Sequence, residues 1–528
     1  MLMAQRKYPI GIQSFEEIRK GKFLYVDKTA LIHVLVNKGK YYFLGRPRRF
    51  GKSLLVSTLK AYFEGRRDLF EGLAVGQLET EWRCHPVLHF DFSTGKFENR
   101  QMLREAIDYK LTEMERPYDI PHDGLLPNIR MTRLIKTAYE QTGQQVVVLV
   151  DEYDSAMLQH IEDDEKQDGM RMEMRNLFSP LKEADPWLRF VLLTGITKFS
   201  QMSIFSELNN LNNISMLSQY DTLCGISEQE LTTQLRPDIE QLAESYGESY
   251  DEMLLELKAM YDGYHFSEHK TDMYNPYSLL SAFNNQKIAS YWFGTATPTF
   301  LTKIIRRYKM DIEDLSNIRC TSNTFDQPIE YVNDPIPVLY QSGYLTIKSY
   351  ERFGDVYVLD FPNREVRQGF ANSLYRYYAN NDVRSKDKLY MAYLNFYRTD
   401  DLAAFIDELK VFFAGVTYQL FNDNERHFQA LLFTLLTAFG ADVQPEVATA
   451  RGRADIVLKM PDTIYVMELK YDKSAAEALA QIDDRGYAEP YLNDGRRLVK
   501  VGINFGSKER NINEWVTEEF VRRNDIHS

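Results

Sequence analysis

An apolar run, Tyr41-Tyr42-Phe43-Leu44, leads through Gly45-Arg46-Pro47-Arg48-Arg49-Phe50-Gly51-Lys52-Ser53 into an amphipathic stretch that reaches Glu64. A buried strand that turns through Gly-Lys-Ser into a helix has the layout of a phosphate-binding P-loop, which commits this part of the chain to a parallel α/β sheet. Amides of such a loop point at phosphate oxygens, and the helix N-terminus adds its positive dipole end. Lys52 is then placed to reach the β- and γ-phosphates and the Ser53 hydroxyl to ligate Mg²⁺, with Arg46, Arg49, Gly51 and Leu54 lining the nucleotide. The loop departs from the general spacing: the glycine expected five residues before Gly51 is Arg46, and Gly45 sits one step earlier. It must close differently, stiffened by Pro47.

Taken alone, this could be a chance Gly-Lys-Ser in a strand–helix turn. A second run answers that alternative. Val146-Val147-Val148-Leu149-Val150 delivers Asp151 and Glu152 at its tip. These are the carboxylates a P-loop needs, Asp151 to hold Mg²⁺ through water and Glu152 to polarise the attacking water. Further runs at Val87–Phe90 and Phe190–Leu193 complete a set of short apolar strands separated by helical patterns, such as Ser53–Glu64 and Asn99–Met114. The last strand delivers Thr194, then Thr197 and Lys198. Thr194 is either a γ-phosphate sensor or an ordinary turn cap.

At 528 residues the chain is long enough for several domains. The pattern divides at about 1–225 (parallel α/β), 226–364 (acidic and helical, then a hairpin), 365–420 (helical connector) and 421–528 (mixed α/β). Ser227-Glu228-Gln229-Glu230 reads as a capping box, and Asn275-Pro276 as a cap followed by a helix-starting proline. Gly343–Ile347 and Val356–Leu359 flank a polar turn, a hairpin compatible with a winged-helix-like extension. The net charge of −13 gives no bulk attraction to nucleic acid or anionic membranes, so either would need a local patch. Three widely spaced cysteines build neither a disulfide framework nor a zinc motif. No secretory segment or membrane span is legible, so a cytoplasmic protein without a membrane partner is expected.

The last segment carries a second carboxylate constellation. Asn424–Ala438 reads as an amphipathic helix, followed by strands at Arg453–Lys459, Ile464–Lys470 and Val499–Asn504, with a helix at Ser474–Arg485. If Met460–Thr463 forms the hairpin loop, Lys459 pairs with Ile464. Counting back sets Asp455 opposite Glu468, with Cβ atoms about 5 Å apart. Lys470 shares that face. Facing carboxylates in an apolar hairpin call for a compensating divalent cation, and hard Mg²⁺ prefers oxygen ligands. Glu425 can add a ligand, and Lys470 can orient or deprotonate a bound water. Pro445 argues against a strand around Glu446. Residues 421–528 hold 14 Lys+Arg against 18 Asp+Glu, so DNA contact would fall to a patch such as Arg451, Arg453, Arg485, Arg496 and Arg497.

Tyr25-Val26-Asp27-Lys28-Thr29, the Arg46–Ser53 loop and Asp151-Glu152-Tyr153-Asp154 together resemble the AAA-ATPase-like family. So do Ser206–Leu211, Tyr261-Asp262-Gly263-Tyr264 and Tyr274-Asn275-Pro276. The resemblance implies a bacterial ATPase domain with Walker A and B elements and a helical or winged-helix extension; Arg46 in the loop is typical of that family. Asp27-Lys28-Thr29 would either touch nucleotide or cap a helix. Asp455, Glu468 and Lys470, with Glu425 and Gln481 as accessories, resemble the PD-(D/E)XK nuclease superfamily. Together the resemblances imply ATP and Mg²⁺ as cofactors and an ATPase coupled to cleavage of nucleic acid, DNA rather than RNA. The alternative is a regulatory NTPase whose last domain binds nucleic acid or protein without cutting. Homo-oligomeric assembly stays open.

Overall fold

The computed structural model describes residues 6–198, 211–294, 297–308, 317–328, 334–378, 383–415, 425–449 and 452–520, with Leu315. Two units make up the chain, one reaching Val366 and the other continuing from Arg367.

In the first unit the apolar runs become β1 (Tyr41–Gly45), β2 (Val87–Asp91), β3 (Val146–Asp151) and β4 (Leu188–Gly195), with a short β5 (Asn212–Asn213). All pair in parallel, in the order β2-β3-β4-β1-β5. β3 is buried at every position, which is why its sequence is continuously apolar rather than alternating. The loop strand β1 and the carboxylate strand β3 are not neighbours; β4 lies between them, so Thr194 stands between the two halves of the site.

After β6 (Ile226–Ser227), Ser227 caps the helix Glu228–Gln234 in a complete capping box with Glu230, and Ser249 does the same with Glu252 for Tyr250–Tyr261. Those helices, with Arg236–Tyr246 and Pro276–Asn285, share a core of Leu231, Ile239, Leu242, Met253, Leu257 and Leu279. β7 (Met273–Tyr274) pairs with β6. The hairpin is β9 (Thr346–Glu351) with β10 (Val356–Asp360), and β8 (Ile318–Thr321) extends it to three strands beside the helix Ile336–Ser342.

The second unit carries a five-stranded mixed sheet: β11 (Asp442–Thr449), β12 (Gly452–Lys459), β13 (Thr463–Tyr471), β14 (Arg497–Gly506) and β15 (Asn511–Glu519), hydrogen-bonded in that order. Only β13 and β14 run parallel. Lys459 stands opposite Ile464, the register counted from the sequence. β11 corrects the reading of Pro445. That residue is in a strand after all, opposite Ile456, because β11 is the sheet edge and a missing N–H costs no ladder bond there.

The helix Glu425–Ala438 is buried at nearly every position rather than on one face. The segment read as a connector explains this. Its helices Val383–Thr399 and Leu402–Gly415 pack within this unit, and the Phe413 ring meets both Phe428 and Phe505. Between them Asp400 accepts hydrogen bonds from Thr463, Tyr465 and Arg497. Among the described residues no helix is long and apolar enough to cross a membrane, and the three cysteines are free thiols.

Candidate functional sites

Gly51, with φ of 91°, ends the loop and caps the helix Lys52–Phe63. Lys52 is buried, and its ammonium donates to the carbonyls of Arg46 (3.0 Å) and Pro47 (3.1 Å). Arg46 takes the place of the general motif's glycine, and its side chain is not among those lining the cavity above the loop. The guanidinium is buried over the Phe266 ring at 4.0 Å and donates to the carbonyls of Gly45, Ser215 and Tyr220. It fastens the loop from behind. On the loop's flank, Pro47 lies where any side chain on Gly343 would collide with it.

The loop opens on a cavity of about 590 Å³. Arg48, Arg49, Lys52 and Lys303 line it, with Ser53, Leu54 and a single carboxylate, Glu152. Arg49 stacks over Tyr277 at 4.5 Å and Arg48 over Phe300 at 5.1 Å. Among the described residues neither arginine is within ion-pair distance of an acid. Gathering cations without counter-ions costs free energy unless an anion joins them.

Asp151 lies buried at the tip of β3 and accepts the Thr194 hydroxyl at 2.5 Å. Thr194 therefore orients the carboxylate, and it is neither a turn cap nor a lining residue of the cavity. Glu152 follows in a left-handed conformation, φ 50°, a strained state that turns its side chain toward the cavity. Burial raises its carboxyl above the ordinary range, against the pull of Lys52. That suits a group that must take a proton from water. Asp154 braces this corner, accepting from the amides of Ile196 and Thr197 and from the Thr197 hydroxyl.

The second site is a fork. The β12–β13 ladder is paired from Lys459/Ile464 up to Ile456/Met467. One residue further, the Asp455 carboxylate accepts the Leu469 amide at 2.7 Å. From there β12 stays with β11 and β13 with β14, so the strands part where Asp455 and Glu468 face each other. Lys470 donates to Glu468 at 2.9 Å and lies 3.5 Å from Glu425. Glu468 Oε2 is buried without a hydrogen-bond partner among the described residues. Burial, then the charge of Glu468, raises the Asp455 carboxyl; burial also raises Glu468, against Lys470. The site thus gathers more carboxylates than one lysine can pair, and burial holds Asp455 and Glu468 back from ionising.

The predicted AAA-ATPase family matches residues 9–205, and the PD-(D/E)XK nuclease superfamily matches residues 423–515. An uncharacterized protein in the vnfD 5' region of Azotobacter chroococcum mcd 1 is 33% identical over 529 residues, covering 98% of this chain and 99% of its own length. The chain belongs to the AAA-ATPase-like family. Its last domain belongs to the PD-(D/E)XK superfamily.

In this AAA-ATPase-like chain the family motifs mostly brace the cavity. Asp27 accepts the amide and hydroxyl of Thr29 and the Ala74 amide, while Lys28 pairs with Glu230; the motif caps a helix and does not line the cavity. Tyr264 packs its ring on Phe50 of the loop, and Asn275 caps the helix whose Pro276 and Tyr277 line the cavity. Residues 206–210 of the Ser206–Leu211 motif, and Arg451, lie outside the described residues. Sequence reasoning missed Pro9–Gln13 and Lys303 as cavity walls, since no local signal announces a contact made by distant packing.

Of the proposed basic patch, Arg496 pairs with Asp494 and Arg497 with Asp400. Both sit at the Met460–Thr463 end of the hairpin, far along the strands from Asp455. Gln481 donates to the Tyr487 hydroxyl and lines a separate hollow with Gly452. Among the described residues no group of three or more His, Cys, Asp and Glu side chains could hold a metal. A cation at the fork would rest on Asp455 and Glu468 with water completing its shell. The unpaired Glu468 oxygen fits that role.

Proposed function

We propose that the chain hydrolyses ATP at the cavity above Lys52 and cleaves phosphodiesters of nucleic acid, DNA in preference to RNA, at the Asp455–Glu468 fork. The observation that carries the second half is the parting of β12 and β13 where the half-buried Asp455 and the buried Glu468 meet beside Lys470. In the cavity, Lys52 exchanges its loop carbonyls for β- and γ-phosphate oxygens, with Arg49, Gly51 and Leu54 around the nucleotide. Ser53 and Asp151 would hold Mg²⁺, Asp151 kept in place by Thr194. Glu152 accepts the proton of the attacking water. At the fork, Asp455 and Glu468 would hold Mg²⁺, which supplies Lewis-acid stabilisation of phosphate charge. Lys470 steadies Glu468 and offers its ammonium to the phosphate, with Glu425 limiting how far it swings. Gln481 acts as an accessory on the neighbouring helix.

The test is a nicking assay on single- and double-stranded DNA and RNA, with Mg²⁺ or Mn²⁺, with and without ATP. Metal-dependent cleavage is expected, falling about a thousand-fold in Asp455→Ala and in Lys470→Ala. Cleavage that survives both substitutions rules out the fork. Consistent absence of cleavage with ATP hydrolysis intact favours a regulatory NTPase whose last domain only binds.

A further inference from the structure

One cation of the nucleotide cavity does not come from the loop. Arg48, Arg49 and Lys52 belong to the P-loop itself, whereas Lys303 arrives on the helix Thr297–Tyr308. Its ammonium donates to the Gln159 carbonyl at 2.6 Å. That carbonyl is fixed, because the Gln159 side chain accepts from the Phe97 amide and donates to the Gly95 carbonyl. Among the described residues no carboxylate reaches Lys303, so two of its three N–H donors are unspent.

Position narrows its use. Gln159 ends the short segment that begins at Glu152, and Glu152, Ser155 and Gln159 form one wall of the cavity. Lys52 lies on the loop, held by the Arg46 and Pro47 carbonyls. If Glu152 faces the attacking water, its wall borders the last phosphate, and Lys303 stands on that wall. The helix is tied at other points too. Phe300 lies under Arg48, and Arg307 donates to the Ile161 carbonyl and pairs with Asp164 at 2.9 Å.

We infer that Lys303 is the contact that distinguishes a nucleoside triphosphate from a diphosphate, giving its free N–H donors to the terminal phosphate. This rests on the reading of the cavity as an ATP site. Lys303 then reports the terminal phosphate to the helix Thr297–Tyr308, which is fastened to both the loop and the segment after Glu152.

The experiment is calorimetric binding of a non-hydrolysable ATP analogue and of ADP, each with Mg²⁺, to the full chain and to Lys303→Met and Lys303→Arg. One charge-assisted hydrogen bond sets the expected size: Lys303→Met should weaken the triphosphate analogue about ten-fold while ADP affinity holds within about two-fold. Lys303→Arg should recover most of the loss. Equal weakening of both nucleotides overturns the inference in favour of a supporting role, and unchanged binding of both overturns it outright. Failure of the unsubstituted chain to bind either nucleotide removes the ATP reading and this inference together.

Discussion

In the cavity above the loop Arg48, Arg49 and Lys303 face a single lining carboxylate, Glu152, whereas at the fork Lys470 is outnumbered by Asp455, Glu468 and Glu425. Each site is charge-unbalanced, and in opposite senses. Like charges gathered without counter-charge repel one another, and the more so the less water reaches them. A polyanion in the first unit and a cation in the second would close these imbalances, and the proposed function reads the two sites in that sense.

The largest way to break this comparison is at the loop. Lys52→Ala should lower nucleotide affinity about a hundred-fold by calorimetry, since it removes a charge-assisted contact from a desolvated site. Unchanged affinity would mean that the cationic cavity serves something other than a nucleotide.

A second experiment separates site imbalance from ordinary buried acidity. Asp262 is 1% exposed, and burial pushes its carboxyl up to about 7 although Lys258 lies 3.8 Å away. Asp272 and Glu228 also face it, and both raise it further. Because the folded value is raised, the stability it contributes is complete in acid and is lost as pH rises through about 7. Asp262→Asn should therefore be the more stable form at pH 8, by about 2 kcal/mol, with the advantage fading toward pH 4. Thermal melts across that range check it; a pH-independent difference would show that Asp262 does not titrate as a buried acid.

The smallest effect sharpens the other half. Millimolar Mg²⁺ should stabilise the second unit by about 1 kcal/mol, and Glu468→Gln should abolish that gain while raising stability without metal. Hydrogen exchange on strands β12 and β13 resolves the change to the fork.

What the sequence made legible followed physical locality. Strand–loop–helix order, capping boxes and hairpin register act over a few residues, so the strand ends that carry Lys52, Asp151 and Glu152 and the Lys459/Ile464 register could be read directly, whereas the ladder parts one pair before Asp455 and Glu468. Pro445 misled because edge position is a property of the whole sheet. Asn424–Ala438 looked amphipathic because nothing local announces burial on more than one face. Lys303 and Pro9–Gln13 were silent for the same reason: tertiary packing alone brings them to the cavity. Thr194 was found but left between two roles, and its hydrogen bond to Asp151 gives it a third, that of holding the carboxylate.

The fastening of Arg46 bears on how the loop tolerates change. In the general motif this position is a glycine, so Arg46→Gly looks like a return to the norm. Here it would strip a partner from the carbonyls of Gly45, Ser215 and Tyr220, the last of them in a buried contact, at about 1–3 kcal/mol for a buried group left unmatched. The arginine ties the loop to residues far along the chain, so a single change to glycine undoes three contacts at once. A search that insists on glycine at that position passes over this chain.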